Sequence, residues 1–333
     1  MANAAVGKPW SRLAIGILTG LVAGAVFLLG ALELSGAAVF AQDLNGTAKL
    51  GRELGTMVTG FAAAALVAQP VRERVARVLP IDPENPVHAL ALVLAVILFG
   101  LTATTIVFTD ILATIQAQPP LTVGDLVLQE VPFLVLALVG VGLFMRRDIP
   151  NASVRLGLVV PAWWHVALAL AAAGVFFAFG LGMDVLGQAV TPQLAQRVQA
   201  VSQHVFGNLA NPVGIAALAL VPGICEDVLF RGALQPRIGL LPSALLFAAI
   251  HTEYGLSVST LAVFVIAVGL GLIRKYSNTT SSALCHATYN LLVGFGIAGS
   301  IAAAALGAEL VLAGLAVYGV WTHRKAIAAT VSP

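Results

Sequence analysis

Long apolar segments dominate this sequence and leave few folds open to it. Only 10% of its 333 residues are charged, against about 25% in soluble domains. One soluble core cannot bury so much apolar surface, and the long runs of Ala, Gly, Leu and Val are typical of helices, not of β-barrel strands. Ten segments approach or exceed the length of a membrane span: 13–33, 54–69, 87–108, 126–145, 160–183, 213–235, 240–254, 257–273, 281–304 and 307–322.

The sequence therefore predicts an all-α polytopic membrane protein, a helical bundle of about 8–10 transmembrane segments with an intramembrane polar site. A full span needs about 20 residues, so the shortest segments are the least secure. The first segment follows basic residues, as a signal peptide would, but its apolar run is too long for one, and we expect a retained helix. The link 184–212 repeats apolar residues at helical spacing and predicts an amphipathic interfacial helix.

The distribution of Lys and Arg predicts the orientation. If the N-terminus with Lys8 lies in the cytoplasm and all ten segments cross, most of the basic residues of the links fall on the cytoplasmic side. Only Lys49, Arg52 and Arg197 fall outside. We therefore expect both termini to be cytoplasmic, in what the composition suggests is a bacterial cytoplasmic membrane. The basic residues on the predicted inner side are Lys8, Arg12, Arg72, Arg74, Arg77, Arg146, Arg147, Arg155, Arg237, Arg274, Lys275, Arg324 and Lys325.

Three ionisable residues interrupt one of the apolar segments in the stretch "CEDVLFRG". A charge at membrane depth is expensive and is a functional hypothesis by default. Asp227 and Arg231 are four residues apart, so on a helix they share a face and are expected to pair. Glu226 is rotated by about 100° from Asp227. We expect it to face away from that pair and to need another partner.

Two further motifs, "FAAIH" and "HATYN", place polar residues in later apolar segments. Phe247 and His251 share a helical face, so the rings are expected to pack together. His286 and Asn290 are also one turn apart. Counted along the predicted helices, Glu226, both histidines and Asn290 lie within roughly 9–15 Å of the cytoplasmic surface. We therefore expect these residues to meet in one site that opens toward the cytoplasm.

Two chemistries fit this group of residues. Two histidines and a carboxylate are common protein ligands of a hydrolytic zinc ion, which predicts Glu226, His251 and His286 as metal ligands. Alternatively, Glu226 and His251 activate a water directly. In either case His286 and Asn290 carry donors that an oxyanion needs.

In order and spacing the three motifs resemble those of the CPBP intramembrane proteases, the relatives of the CAAX prenyl endopeptidases also called the Abi family. The family pattern is Glu-Glu-x-x-x-Arg, Phe-x-x-x-His and His-x-x-x-Asn, and the resemblance covers roughly residues 210–300. It implies a membrane endopeptidase, commonly classed as metal-dependent. By carry-over Glu226 and His251 activate water, His286 and Asn290 hold the oxyanion, and Arg231 is structural. Asp227 departs from the pattern because its side chain is one methylene shorter than the usual Glu.

The function expected from this resemblance is hydrolysis of a peptide bond, in a peptide or membrane protein, near the cytoplasmic face. Residues 1–155 would form N-terminal helices that bear on substrate choice, and residues 156–323 would contain the catalytic core. A net charge of +2 does not suggest nucleic acid. Two alternatives are an ion-coupled transporter and a non-catalytic scaffold or immunity protein. The transporter is disfavoured because the polar cluster occurs only in the C-terminal third.

Other polar residues in apolar surroundings have simpler interpretations. Glu130 is expected near the outer end of its helix, where it can reach the interface. Glu253 is expected to be solvated at the outer surface. Cys225 and Cys285 are expected to be small buried hydrophobic residues and not metal ligands.

Overall fold

The computed structural model describes residues 2–37, 44, 46–296 and 300–331. Across these ranges the chain forms helices, with no β-strand beyond one isolated bridge between Leu143 and Arg147. Six of the described helices are long and apolar enough to cross a membrane, and a bent helix pair raises that number to seven at most. The prediction of an all-α, multi-pass integral membrane protein is confirmed.

The N-terminal half contains eight helices in the described ranges. Among them α7 begins with a capping box, in which Thr122 and Asp125 satisfy each other's backbone N–H groups. α3 and α4 meet at an angle of 94°. The helices are α1 (Ala2–Ala5), α2 (Ser11–Leu34), α3 (Gly46–Ala65), α4 (Gln69–Val75), α5 (Pro86–Phe108), α6 (Ile111–Gln116), α7 (Val123–Val141) and α8 (Ile149–Leu156).

The C-terminal half contains the three motifs. Asn211 and Asn278 cap the N-termini of two of its helices with their side-chain oxygens. The helices are α9 (Trp163–Val190), α10 (Pro192–Phe206), α11 (Pro212–Asp227), α12 (Gln235–Ile238), α13 (Leu240–Ile250), α14 (Val258–Tyr276), α15 (Thr279–Phe295) and α16 (Ser300–Val331). A π-helix, Val228–Leu234, joins α11 to α12, and 3₁₀ turns occupy Gly207–Leu209 and Thr252–Tyr254.

Each of the ten predicted segments overlaps a helix, but several boundaries were wrong. The segment 240–254 contains α13, which has 11 residues and is too short to cross alone. The break between the last two segments was placed at 305–306, whereas α15 ends before Gly296, which has a φ of +61° that glycine adopts freely. Residues 297–299 lie outside the described ranges. The crossing number of ten stays a prediction.

The predicted helix in the link 184–212 is confirmed. It is α10, and it buries Val198 and Val201 against Leu112 of α6. Arg197 of α10 forms an ion pair with Asp110 at 2.6 Å. α10 follows α9 directly, and α9 is 28 residues long, so this ion pair lies near the end of α9 and far from its start.

At the other end of the bundle the structure groups basic residues from several links. Arg155 lies within electrostatic reach of Arg147, Arg237 and Arg274, which come from different parts of the chain. This grouping agrees with the topology expected from Lys and Arg, which placed all four on one side. The assignment of that side to the cytoplasm stays a prediction.

Close packing of α11 against α15 positions the site. A Cβ added to Gly223 would lie 3.0 Å from the backbone nitrogen and the Cβ of Ala287, so only glycine permits this approach without a shift. Gly223 precedes Glu226 by about one turn, and Ala287 follows His286. The contact therefore holds the two motif residues at the same level of neighbouring helices.

Candidate active site

His286 lies between two buried carboxyl groups. Its Nε2 is 3.9 Å from Oε2 of Glu226, and its Nδ1 is 4.0 Å from Oδ1 of Asp227. Glu226 is 4% exposed and Asp227 is fully buried. The expected approach of Glu226 to His286 is present. Glu226 was expected to point in a different direction from Asp227, yet both carboxyl groups face His286, because one imidazole is wide enough to face consecutive residues of α11.

Asp227 also pairs with Arg231, as the helical spacing predicted. Nη1 of Arg231 lies 2.7 Å from Oδ1 of Asp227, and both side chains are buried. A buried carboxylate needs such a partner, because an isolated charge at this depth is costly. The shorter side chain of Asp227 therefore reaches both Arg231 and His286, and the departure from the usual Glu leaves these contacts in place.

The Asp227–Arg231 ion pair spans a change from α-helix to π-helix, which the sequence did not predict. α11 ends at Asp227, and Val228–Leu234 are wound as a π-helix. π-helical turns are rare and often occur at functional sites. No residue pattern in "VLFRGAL" distinguishes such a turn from an α-helix, so this feature could not have been read from the sequence.

Phe247 links Arg231 to both histidines. The Arg231 guanidinium lies 4.0 Å from the centroid of its ring, a cation–π contact. The same centroid is 4.6 Å from that of His251 and 5.7 Å from that of His286. The predicted packing of Phe247 beside His251 is confirmed.

His251 is the first residue after α13, where the chain leaves the helix. Its Nδ1 lies 2.8 Å from the carbonyl oxygen of Phe247. A carbonyl only accepts hydrogen bonds, so Nδ1 carries the proton and Nε2 of the neutral ring is free to accept one. His251 also stacks against Tyr254, with 6.3 Å between the ring centroids.

Asn290 has a partner that explains its position on α15. Its side-chain amide donates a hydrogen bond to the carbonyl oxygen of Leu218 at 3.2 Å. In an α-helix that carbonyl would accept from the N–H of the residue four positions later, but that residue is Pro222, which has none. Asn290 therefore satisfies a backbone group that the proline leaves without a helical partner, and its second N–H stays available for another acceptor.

We expect the Asn290→Ala substitution to lower the free energy of unfolding by about 1–2 kcal/mol, because the Leu218 carbonyl loses its partner inside the bundle. In a Pro222→Ala background the same substitution should cost less, since the introduced alanine supplies the missing N–H. Unfolding in mixed detergent measures the unaltered protein, both single variants and the double variant. Equal costs in the two backgrounds would show that the contact with Leu218 does not explain Asn290.

A metal site of three ligands is not formed by the side chains in the described ranges. No group of three or more His, Cys, Asp or Glu residues there is arranged to hold an ion. Glu226 and His286 are neighbours, while His251 is oriented by the Phe247 carbonyl. The structure therefore does not bring Glu226, His251 and His286 together as three ligands, and this ligand set stays a prediction.

Glu130 is buried, contrary to its sequence interpretation. It was expected to reach the interface, but it is only 8% exposed, and its Oε2 is buried without a hydrogen-bond partner among the described residues. Its charge lies within electrostatic reach of Glu226. Ala137 and Val141, about two and three turns further along α7, are buried too. Their helical spacing from Glu130 in "EVPFLVLALVGV" could therefore have indicated that Glu130 faces the interior of the protein.

The other polar residues differ in whether the structure agrees with their sequence interpretation. Glu253 was expected to be solvated, but it is half-buried, and burial raises the pKa of its carboxyl group. The structure therefore contradicts that expectation. Cys225 and Cys285 are both buried and free, as small hydrophobic residues would be.

Comparison with known proteins bears directly on this site. Residues 208–292 match the family described as type II CAAX prenyl endopeptidase Rce1-like. The predicted resemblance is confirmed over this segment. The Rce1-like segment runs from before α11 to within α15, and it contains all seven motif residues: Glu226, Asp227, Arg231, Phe247, His251, His286 and Asn290. Glu130 lies outside it.

One curated protein is similar to part of this chain. It is the uncharacterized protein YpbD of Bacillus subtilis (strain 168), which is 37% identical over 79 residues. That match covers 23% of this chain and 41% of YpbD, so it spans less than half the length of the relative. No solved structure matches the chain.

Proposed function

We propose that this protein is an intramembrane endopeptidase in which Glu226 activates the attacking water. The observation that carries the proposal is the placement of His286 against Glu226 within the Rce1-like segment. Among the described residues no Lys or Arg forms an ion pair with Glu226, since Arg231 pairs with Asp227. A carboxylate without a fixed counter-ion is suited to accept a proton from water.

The reaction follows from the positions of these groups. Glu226 accepts a proton from water as the water oxygen attacks the peptide carbonyl carbon, and the carbonyl oxygen becomes an oxyanion. His286 and the second N–H of Asn290 donate hydrogen bonds to that oxyanion. The C–N bond then breaks, and the proton held by Glu226 passes to the amine nitrogen. His251, with Nε2 free, serves as a second acceptor for the water.

In this proposal Glu130, from the N-terminal half of the chain, adds a polar side chain to the wall of the site. Glu130 belongs to α7, and α7 packs against α11 and the π-helix. The substrate would be a peptide or a membrane protein held in the bilayer, with the site open to the cytoplasm. Residues 1–155 would contribute to substrate choice through α7.

Zinc binding at this site is a separate proposal, and only the chemical types of the donor groups support it. Carboxylate and imidazole groups are usual zinc ligands, and binding of the ion would have to bring His251 toward Glu226 and His286. The chemistry that such an ion supplies is Lewis-acid polarisation of a carbonyl or a water. Nothing in the water-activation steps above requires it.

A cleavage assay on a peptide library, with the full-length protein in detergent, tests both proposals. We expect cleavage of at least one peptide class without added cofactor. Loss of cleavage with a chelator, and its return with zinc but not with magnesium, would support the zinc proposal. Cleavage unchanged by the chelator would contradict the zinc proposal and leave water activation by Glu226 in place. Absence of cleavage of every peptide, by protein shown to be folded, would contradict the endopeptidase proposal.

A further inference from the structure

Four arginines that take no part in the proposed reaction converge at one end of the bundle. We call them the arginine cluster: Arg147, Arg155, Arg237 and Arg274. Each is half-buried. They come from the turn after α7, from α8, from α12 and from the end of α14, so the fold and not the local sequence brings them together.

Contacts with backbone groups fix the positions of three of them. Arg155 donates to the carbonyl oxygens of Gly232 at 3.1 Å and Ala233 at 3.5 Å, in the π-helix. The Arg274 guanidinium packs on Gly157, where an added Cβ would lie 3.2 Å from its Cζ. Arg147 donates to the carbonyl oxygen of Val141.

The cluster lacks an acidic counterpart within the part of the chain that the structure describes. There none of the four forms an ion pair with a carboxylate, and the Nε of Arg274 is buried without a hydrogen-bond partner. Burial lowers the pKa of Arg155 to about 10, and the three other guanidinium charges contribute. Nearby acids are exposed: Asp148 caps α8, and Asp82 lies beside His88.

Arg155 lies within electrostatic reach of the other three half-buried guanidinium groups, which repel it, and the hydrogen bonds that the cluster makes in the described chain go to carbonyl oxygens. Guanidinium groups bind phosphate oxygens by paired, charge-assisted hydrogen bonds. The missing counter-charge is therefore expected to come from outside the chain, as a phosphate.

The surroundings of the cluster indicate a lipid as the source of that phosphate. Large apolar side chains project from the same link: Phe144 is 80% exposed and Val160 is 95% exposed. Ile149, Val154 and Trp163 are exposed as well. Phe144 even adopts a φ of +59°, a costly conformation for an aromatic residue, held by the hydrogen bond from its N–H to the Arg147 carbonyl. Apolar residues interleaved with arginines are typical of a segment lying on an anionic membrane surface.

We propose that the arginine cluster binds the headgroup phosphate of an anionic phospholipid, while the exposed apolar residues of 144–163 contact its acyl chains. Through Arg155 this lipid site is joined to Gly232 and Ala233, and so to the π-helix that carries Arg231. The inference does not depend on the proposed protease activity.

Native mass spectrometry of the full-length protein tests the proposal, with phosphatidylglycerol and phosphatidylcholine as probes. We expect phosphatidylglycerol to bind more tightly, and Arg237→Gln to weaken its binding about fivefold, with a similar further loss for Arg147→Gln. Arg77→Gln, an exposed arginine outside the cluster on the same predicted membrane side, should bind as the unaltered protein does. Arg237 has no hydrogen bond within the described ranges, so its removal should leave the fold intact.

Three outcomes would overturn the proposal. The first is equal binding of the two lipids by the unaltered protein. The second is a loss on Arg77→Gln as large as that on Arg237→Gln. The third is displacement of phosphatidylglycerol by millimolar inorganic phosphate, which would make this a site for free phosphate and not for a lipid. The first outcome needs no variant, so the test holds even if a substitution impairs folding.

Discussion

Replacement of Glu226 by glutamine is expected to lower kcat/KM for peptide cleavage by about 1,000-fold, within the range that general-base catalysis contributes. Glutamine has nearly the same shape and fills the same buried space on α11 beside His286. Its amide cannot accept a proton from water, so the attack on the carbonyl loses its base. Cleavage of the best library peptide, followed by chromatography in detergent, measures the effect.

The neighbouring residue offers a matched control for this substitution. Cys225→Ala alters an adjacent buried side chain of the same helix, and we expect it to retain cleavage within a few-fold. Both variants should unfold at similar temperatures, which separates loss of chemistry from loss of folding. A Glu226→Gln protein that cleaves at the unaltered rate would contradict water activation by this residue.

The sequence predicted the elements of the site better than their orientation. The helical period of the motifs, their depth and their order predicted that Glu226 and His286 lie close together. These predictions need only helix geometry and the alternating direction of successive membrane crossings. The same geometry paired Asp227 with Arg231 and pointed Glu226 in another direction, because it treated each side chain as a point on a helical wheel. An imidazole that sits between two helices faces both carboxyls, and this contact depends on the close approach of α11 and α15 at Gly223.

Other features required the three-dimensional packing. The contact of Asn290 with Leu218 depends on a proline in a different helix, although Pro222 itself marked the carbonyl that would lack a helical partner. Glu130 lies nearly one hundred residues before Glu226, so no local spacing connects the two. Likewise the arginine cluster was predicted only as a common membrane side, and its convergence into one site depends on how α8, α12 and α14 pack.

Loss of Arg231 is expected to have the largest effect on stability. The Arg231→Met substitution leaves Asp227 as a fully buried carboxylate without a cation, and we expect it to lower the free energy of unfolding by about 3–5 kcal/mol. It also removes the guanidinium from the ring of Phe247. Unfolding in mixed detergent, followed by circular dichroism, measures the change.

The Arg197–Asp110 pair is the natural comparison, because it has similar geometry but its side chains are 50% and 58% exposed. Arg197→Met should cost less than about 1 kcal/mol, since water already screens that pair. Adding Asp227→Asn to Arg231→Met should recover part of the lost stability, because the unpaired charge is then gone. If Arg231→Met proved as mild as Arg197→Met, Asp227 would not depend on Arg231 for its charge, and the division of roles between Asp227 and Glu226 would fail with it.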